Sequence, residues 1–190
     1  MSRGYRLSVS YPHFAVDPHS TALRRYRDIY VSGAAHGCVM TTESDPFIGS
    51  EALAGRSLTR YELRRYYRAI LPNIYVDKRI DPSLYQRTQA AWLWSGREAT
   101  IAGHAAAALH RAKWVPDDAP IELIHANTRP PRNVIARDDL LFDDESQLLG
   151  GLPVTTPHRT AFDLGRRGSL VGAVARLDAL GAATGFNVDA

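Results

Sequence analysis

Polar and apolar positions show little sustained order along the chain until Pro46. Within residues 1–39 only STALRRYRDIY, with Ser20 at an N-cap position, predicts a short helix. The polar run from Thr41 to Asp45 follows Met40 and reads like a natural start, so residues 1–45 are expected to form a flexible leader, with Met40 as the alternative first residue. FIGSEALAG then predicts a short helix, with Ser50 near its start and Gly55 after its end, where glycine's access to positive φ suits a helix terminus. Thr59-Arg60-Tyr61-Glu62 matches a capping box, so a second helix is expected from Thr59 to Ala69.

Projected at about 100° per residue, this second helix divides into two faces. Leu63, Tyr66, Tyr67 and Ile70 fall on one side, and Arg60, Tyr61, Arg64, Arg65 and Arg68 on the other. Pro72 forbids continuation, and Asn73 to Arg79 reads as a strand and turn. Helix, turn, basic helix and strand follow one another in the order of a winged helix-turn-helix, with the wing formed around Leu71 to Arg79.

Past Asp81-Pro82, SLYQRTQAAWLWSG places Leu84, Thr88, Ala91, Trp92 and Ser95 on one helical face ended by Gly96. The alanine-rich stretch from Ala102 to Ala112 is helical by propensity. IELIHAN and NVIARDD, separated by Pro130-Pro131, predict two strands of a hairpin or small sheet. Gly150-Gly151 marks a turn before the strand LPVTT, Thr156-Pro157 marks a helix start, and a last helix spans Leu170 to Leu180. The expected fold class is α+β: a winged helix-turn-helix over 46–80 followed by a small mixed α/β domain over 81–190.

Composition narrows this little, since 45% hydrophobic and 23% charged residues describe an ordinary globular domain. A net charge of +3 makes location matter more than total. From Arg56 to Arg68 five arginines face one glutamate, whereas Asp138, Asp139, Asp143, Asp144 and Glu145 gather against Arg137 alone. The lone cysteine, Cys38, excludes an internal disulfide and any zinc site built on cysteine pairs, which suits a cytoplasmic protein. No run of about 18 apolar residues offers a membrane helix.

Candidate chemistry centres on the arginine face. Arginines without i,i+4 acid partners suit phosphates and base edges, with Tyr61 adding a hydrogen bond or stacking. The candidate DNA-binding set is Arg60, Tyr61, Arg64, Arg65 and Arg68, with Lys78 and Arg79 from the wing; a solvated helix surface is the plain alternative. His104 and His110 are poorly spaced for a shared ion, so core or capping roles are expected of the histidines and no metal. The paired aspartates read as a solvated turn, Trp92, Trp94 and Trp114 as core, and no nucleophile or phosphate-loop motif predicts catalysis or a cofactor.

SEALAGRSLTRYELRRYYRAILPNIYV, ATIAGHAAAALH and GLPVTTPHRTAFDL together resemble the AbiEi-type antitoxin and regulator family over about Phe47 to Leu180. The last stretch carries that family's V-T-T/S-P-x-R-T-x-x-D segment as Val154, Thr155, Thr156, Pro157, His158, Arg159, Thr160 and Asp163. Actinobacterial relatives of this type continue into a very-short-patch-repair-like endonuclease domain, which would only be beginning at Ala190. The resemblance implies a winged helix joined to an α/β domain, binding to double-stranded DNA at the protein's own promoter, and autorepression of a toxin–antitoxin operon. It also implies a nucleotidyltransferase-like toxin as partner. Two half-sites would suit a homodimer. Alternatives are a member of the endonuclease-like family lacking its catalytic part and a toxin-binding module without DNA binding. Arg159 and Asp163, four apart, are expected to form a salt bridge within their helix.

Overall fold

A computed structural model describes residues 45–126 and 129–186. The expected leader, the helix from Ser20 and the start at Met40 lie outside these residues, Asp45 apart. The described chain is mixed α+β, with six helices and two sheets.

Strand β1 (Phe47–Ile48) runs into helix α1 (Gly49–Ala54), and helix α2 (Arg60–Tyr66) runs directly into strand β2 (Tyr67–Leu71), which turns back as β3 (Ile74–Asp77). These strands form an antiparallel sheet in the order β1-β3-β2. Helix α1 ends where expected, but Gly55 stays right-handed at φ −76° and the left-handed residue is Arg56 at φ 55°. The second helix stops three residues before Ala69. Tyr67 and Ile70 favour strands, and Tyr67, Arg68 and Ala69 pair with Asp77, Val76 and Tyr75. Phe47 packs edge-on against Tyr67 at 5.0 Å, which helps hold the strand. Cross-strand pairing here outweighs the helical spacing that continues through Ile70.

Helix α3 (Leu84–Trp94) opens with a capping box between Ser83 and Gln86. It touches all three strands of the first sheet and also reaches the second, so one helix joins the two parts. The second sheet has the order β6-β5-β4-β8-β7, built from β4 (Thr100–Ala102), β5 (Ile121–Ile124), β6 (Val134–Arg137), β7 (Ser146–Leu149) and β8 (Leu152–Thr155). Strands β5 and β6 are neighbours as expected but run parallel rather than as a hairpin, because the chain returns to set Val134 opposite Ile121. The true hairpin is β7–β8, of which only β8 is visible in the sequence pattern.

Ile101, Leu123 and Val154 are fully buried at the sheet centre, each worth about 1.5–3 kcal/mol of hydrophobic stabilisation. Helix α4 (Gly103–Leu109) lies against β5, and its buried Ala105, Ala106 and Ala107 allow close approach. Gly103 sits at φ 57°, and a Cβ there would collide with the Glu122 carboxylate. Helices α5 (Pro157–Gly165) and α6 (Leu170–Thr184) pack together, burying Ala161, Leu164 and Leu180 with Ala107. Of the tryptophans, Trp92 is core and Trp94 is half-buried, but Trp114 is 90% exposed at φ 64°, contrary to expectation.

The V-T-T-P-x-R-T-x-x-D segment is absorbed into architecture. Thr155 and Thr160 are buried, with hydroxyls 2.7 Å apart, and the Thr155 carbonyl meets His110 Nε2 at 2.8 Å. Arg159 reaches Asp163 at 3.4 Å, the salt bridge expected within the helix, and also contacts Glu145 at 2.8 Å and the Leu140 carbonyl at 2.8 Å. Arg166 joins Asp163 to Asp139, at 2.8 and 2.5 Å. Asp139 and Glu145 are thus structural partners rather than part of a solvated turn, while Asp138, Asp143 and Asp144 remain exposed. A separate cluster forms on Glu122, which is bound by His104 (3.0 Å), Arg167 (2.8 Å) and Arg137. Burial pushes the Glu122 carboxyl up, but the His104 hydrogen bond and the Arg137 charge outweigh it, leaving the group below its ordinary range.

Asp163 is 1% exposed, and its replacement by alanine removes one carboxylate from both Arg159 and Arg166, which keep Glu145 and Asp139 respectively. Urea unfolding should show Asp163→Ala destabilised by roughly 1.5–3 kcal/mol, the range for lost hydrogen bonds to charged groups whose other partners remain.

Candidate nucleic-acid interface

The basic surface begins with the cap of α2. The Thr59 backbone N–H and hydroxyl donate to Glu62 Oε2 at 2.8 and 2.7 Å, while Glu62 N–H donates to Thr59 Oγ1 at 3.2 Å. The backbone and hydroxyl donors of Thr59 hold the Glu62 carboxyl below its usual range. The one acid on the helix is thereby turned to the helix start, away from Arg64 and Arg65. Leu63 is buried and fixes the rotation of the helix, so Arg60, Tyr61, Arg64 and Arg65 face solvent. Tyr61 is 67% exposed, and Arg65 lies over the Tyr66 ring at 5.7 Å.

Lys78 closes the other end. Its backbone N–H donates to the Tyr66 carbonyl at 2.9 Å, and its ammonium donates to the carbonyls of Arg64 (2.6 Å) and Arg65 (3.1 Å). These oxygens belong to the helix C-terminus, where a cation is favoured by the backbone dipole. Lys78 therefore caps the arginine helix while lining the same shallow hollow as Arg60, Tyr61, Arg64 and Arg65.

Five of the seven predicted residues are thus brought together, and two are not. Arg68 lies on β2 rather than on the helix, and donates to the Ile80 carbonyl at 3.0 Å with Asp81 at 3.5 Å. Arg79 folds back onto Asp77, with Nε at 3.0 Å from Oδ1 and Nη2 at 2.5 Å from Oδ2. The Arg79 side-chain hydrogen bond lowers the Asp77 pKa from 3.8 to about 2, helped by the Arg79 backbone N–H. Among the described residues no acid lies within ion-pair distance of Arg60, Arg64 or Arg65. The capping role of Lys78 has no local sequence signal, because its partners lie 13 and 14 residues away.

His110 is buried against Thr155 and His104 is bound to Glu122, so these histidines serve the fold. Among the described residues no three histidine, cysteine, aspartate or glutamate side chains converge as a metal site would require. No helix among them is long and apolar enough to cross a membrane. No family model, curated protein or solved structure matches the chain.

Asp77 gives the hairpin beneath this surface a pH dependence of definite sign. Its folded pKa is depressed, so its contribution to stability is present above about pH 4 and is lost as pH falls toward 2. Asp77→Asn should lower the urea midpoint at pH 7, and the gap from the parent protein should narrow between pH 4 and pH 2.

Proposed function

We propose that the protein is a DNA-binding transcriptional regulator of the winged helix-turn-helix type, with α2 as its recognition helix and the β2–β3 hairpin as its wing. The observation that carries this reading is the set of three exposed arginines, Arg60, Arg64 and Arg65, without an acid partner among the described residues. Arginine is the side chain best matched to phosphate and to guanine edges, and a solvated helix surface ordinarily interleaves both signs of charge. Tyr61, at the second position of the helix, adds a hydroxyl and a ring at the surface that would enter a major groove. The likeness of its sequence motifs to AbiEi-type regulators extends the proposal to autorepression of the protein's own promoter. The same likeness suggests a nucleotidyltransferase-like toxin as partner, and a homodimer would engage an inverted repeat. No catalytic role is assigned.

Lys78 enters this proposal differently from the arginines. With its ammonium committed to two carbonyls, it orients the helix instead of neutralising phosphate, and Arg68 and Arg79 are similarly occupied. The phosphate-facing charge therefore reduces to three arginines per protomer.

Fluorescence anisotropy with the native promoter and a scrambled duplex, at several salt concentrations, tests the proposal. Three phosphate contacts predict a slope of log K against log salt of roughly −2.7 per protomer. Arg64→Ala with Arg65→Ala should weaken binding and flatten the slope by about 2. Binding unchanged in that double variant would move the interface off this helix. Lys78→Met should weaken binding through misplacement of the helix while leaving the slope near its parent value.

A further inference from the structure

Strand β2 forms the free edge of the first sheet, since β3 lies on its inner side and pairs with β1 beyond. The Lys78 N–H bonds the Tyr66 carbonyl, and Arg68 sits opposite Val76 in the same register. In an antiparallel ladder the bonded pairs alternate, so Arg68 exchanges hydrogen bonds with Val76 while Ala69 turns its N–H and C=O away from β3. Among the described residues no backbone group outside the strand bonds the Ala69 main chain.

Ala69 lines a cleft of about 650 Å³, a volume suited to a ligand rather than to a bound water. Half-buried Ile70, Leu71, Pro82 and Leu84 provide its apolar surface, over a floor of buried Ala90, Ile121 and Val134. Its rim carries charge of both signs. Arg132, Asp117 and Asp118 all line it, and none of the three takes part in an ion pair among the described residues.

We propose that this cleft binds an extended peptide segment of a partner protein, which adds to β2 as a short strand by pairing with Ala69. A peptide backbone supplies one donor and one acceptor in the spacing that the free Ala69 groups require, and its alternate side chains can reach the apolar wall. An acidic residue in the segment answers Arg132, and a basic one answers Asp117 and Asp118. Nucleic acid fits less well, because Asp81, Asp117 and Asp118 offset Arg68, Arg87 and Arg132 and leave the lining without the net positive charge that phosphates require. A second copy of the chain is also disfavoured, because its β2 would bring a second Arg68 to the same edge, a like charge that an acidic peptide segment does not carry.

The test is an NMR titration of the isotopically labelled full chain with Ac-Glu-Val-Ser-Val-Lys-NH2 and its reversed sequence. Ac-Glu-Pro-Ser-Pro-Lys-NH2, which lacks two backbone donors, serves as control. One of the first two peptides should shift the Ala69 amide and slow its exchange by about tenfold or more, with the control much weaker. Ala69→Pro should keep the fold, because the lost N–H lies outside the ladder, and should abolish binding as read from the Ile121 and Val134 methyl signals. Arg132→Glu should weaken the preferred peptide by about tenfold, and it decides the matter by itself if Ala69→Pro does not fold. The proposal is overturned if neither peptide moves the Ala69 amide at millimolar concentration, or if both variants bind as the parent does. It is overturned equally if the Ala69 signal shifts with protein concentration alone, which would put a second copy on the edge, or if promoter DNA protects this amide and not the arginine helix.

Discussion

The pairing of Tyr67–Leu71 with Ile74–Asp77 is the constraint from which the basic surface follows. It stops α2 after Tyr66, fixes Leu63 beneath the helix, and delivers Lys78 to the carbonyls of Arg64 and Arg65. Ile74 and Val76, at 1% and 0% exposure, anchor β3 in the core, so the strand that carries Lys78 has little freedom to shift. A helix of seven residues is too short to be stable by propensity. Its cap at Thr59, its buried leucine and the lysine at its far end together hold it in place.

The same pairing sorts the arginines by role. Arg60, Arg64 and Arg65 project from the helix, whereas Arg68 follows the strand to the mouth of the neighbouring cleft and Arg79 is drawn onto Asp77. A uniformly basic segment thus becomes two surfaces of different character. One is an open arginine face suited to a polyanion, and the other is a cleft with an apolar wall and both signs of charge. The α/β body spends its own charges internally. Arg137, Arg159, Arg166 and Arg167 are matched by Glu122, Asp139, Glu145 and Asp163, which tie α5 and the following turn to the sheet and to the loop after β6. The absence of such matching on α2 is what gives the exposed arginines their weight.

Much of the architecture was legible because it rests on local chemistry. The capping box at Thr59, the helix starts at Ser83 and Pro157, the strand at Ile74 and the turn at Gly150-Gly151 each follow from side chains within a few residues of one another. The salt bridge between Arg159 and Asp163 is likewise a matter of one helical turn. Strand β7 and the short strand β4 escaped notice because their positions lack alternation, and the burial of Ile101 and Ala102 comes from neighbours distant in sequence.

By itself the sequence determined that the arginines of α2 would share a face and that no acid on that helix would cancel them, since both depend only on spacing and on the cap that occupies Glu62. Tertiary structure decided where the helix ends, which cations stay open and how β5 meets β6. Those outcomes depend on contacts between residues far apart in the chain, where strand pairing and backbone hydrogen bonding outweigh local periodicity. They also decided that Ala69, a residue with no chemistry of its own, presents an unpaired backbone edge to a cleft.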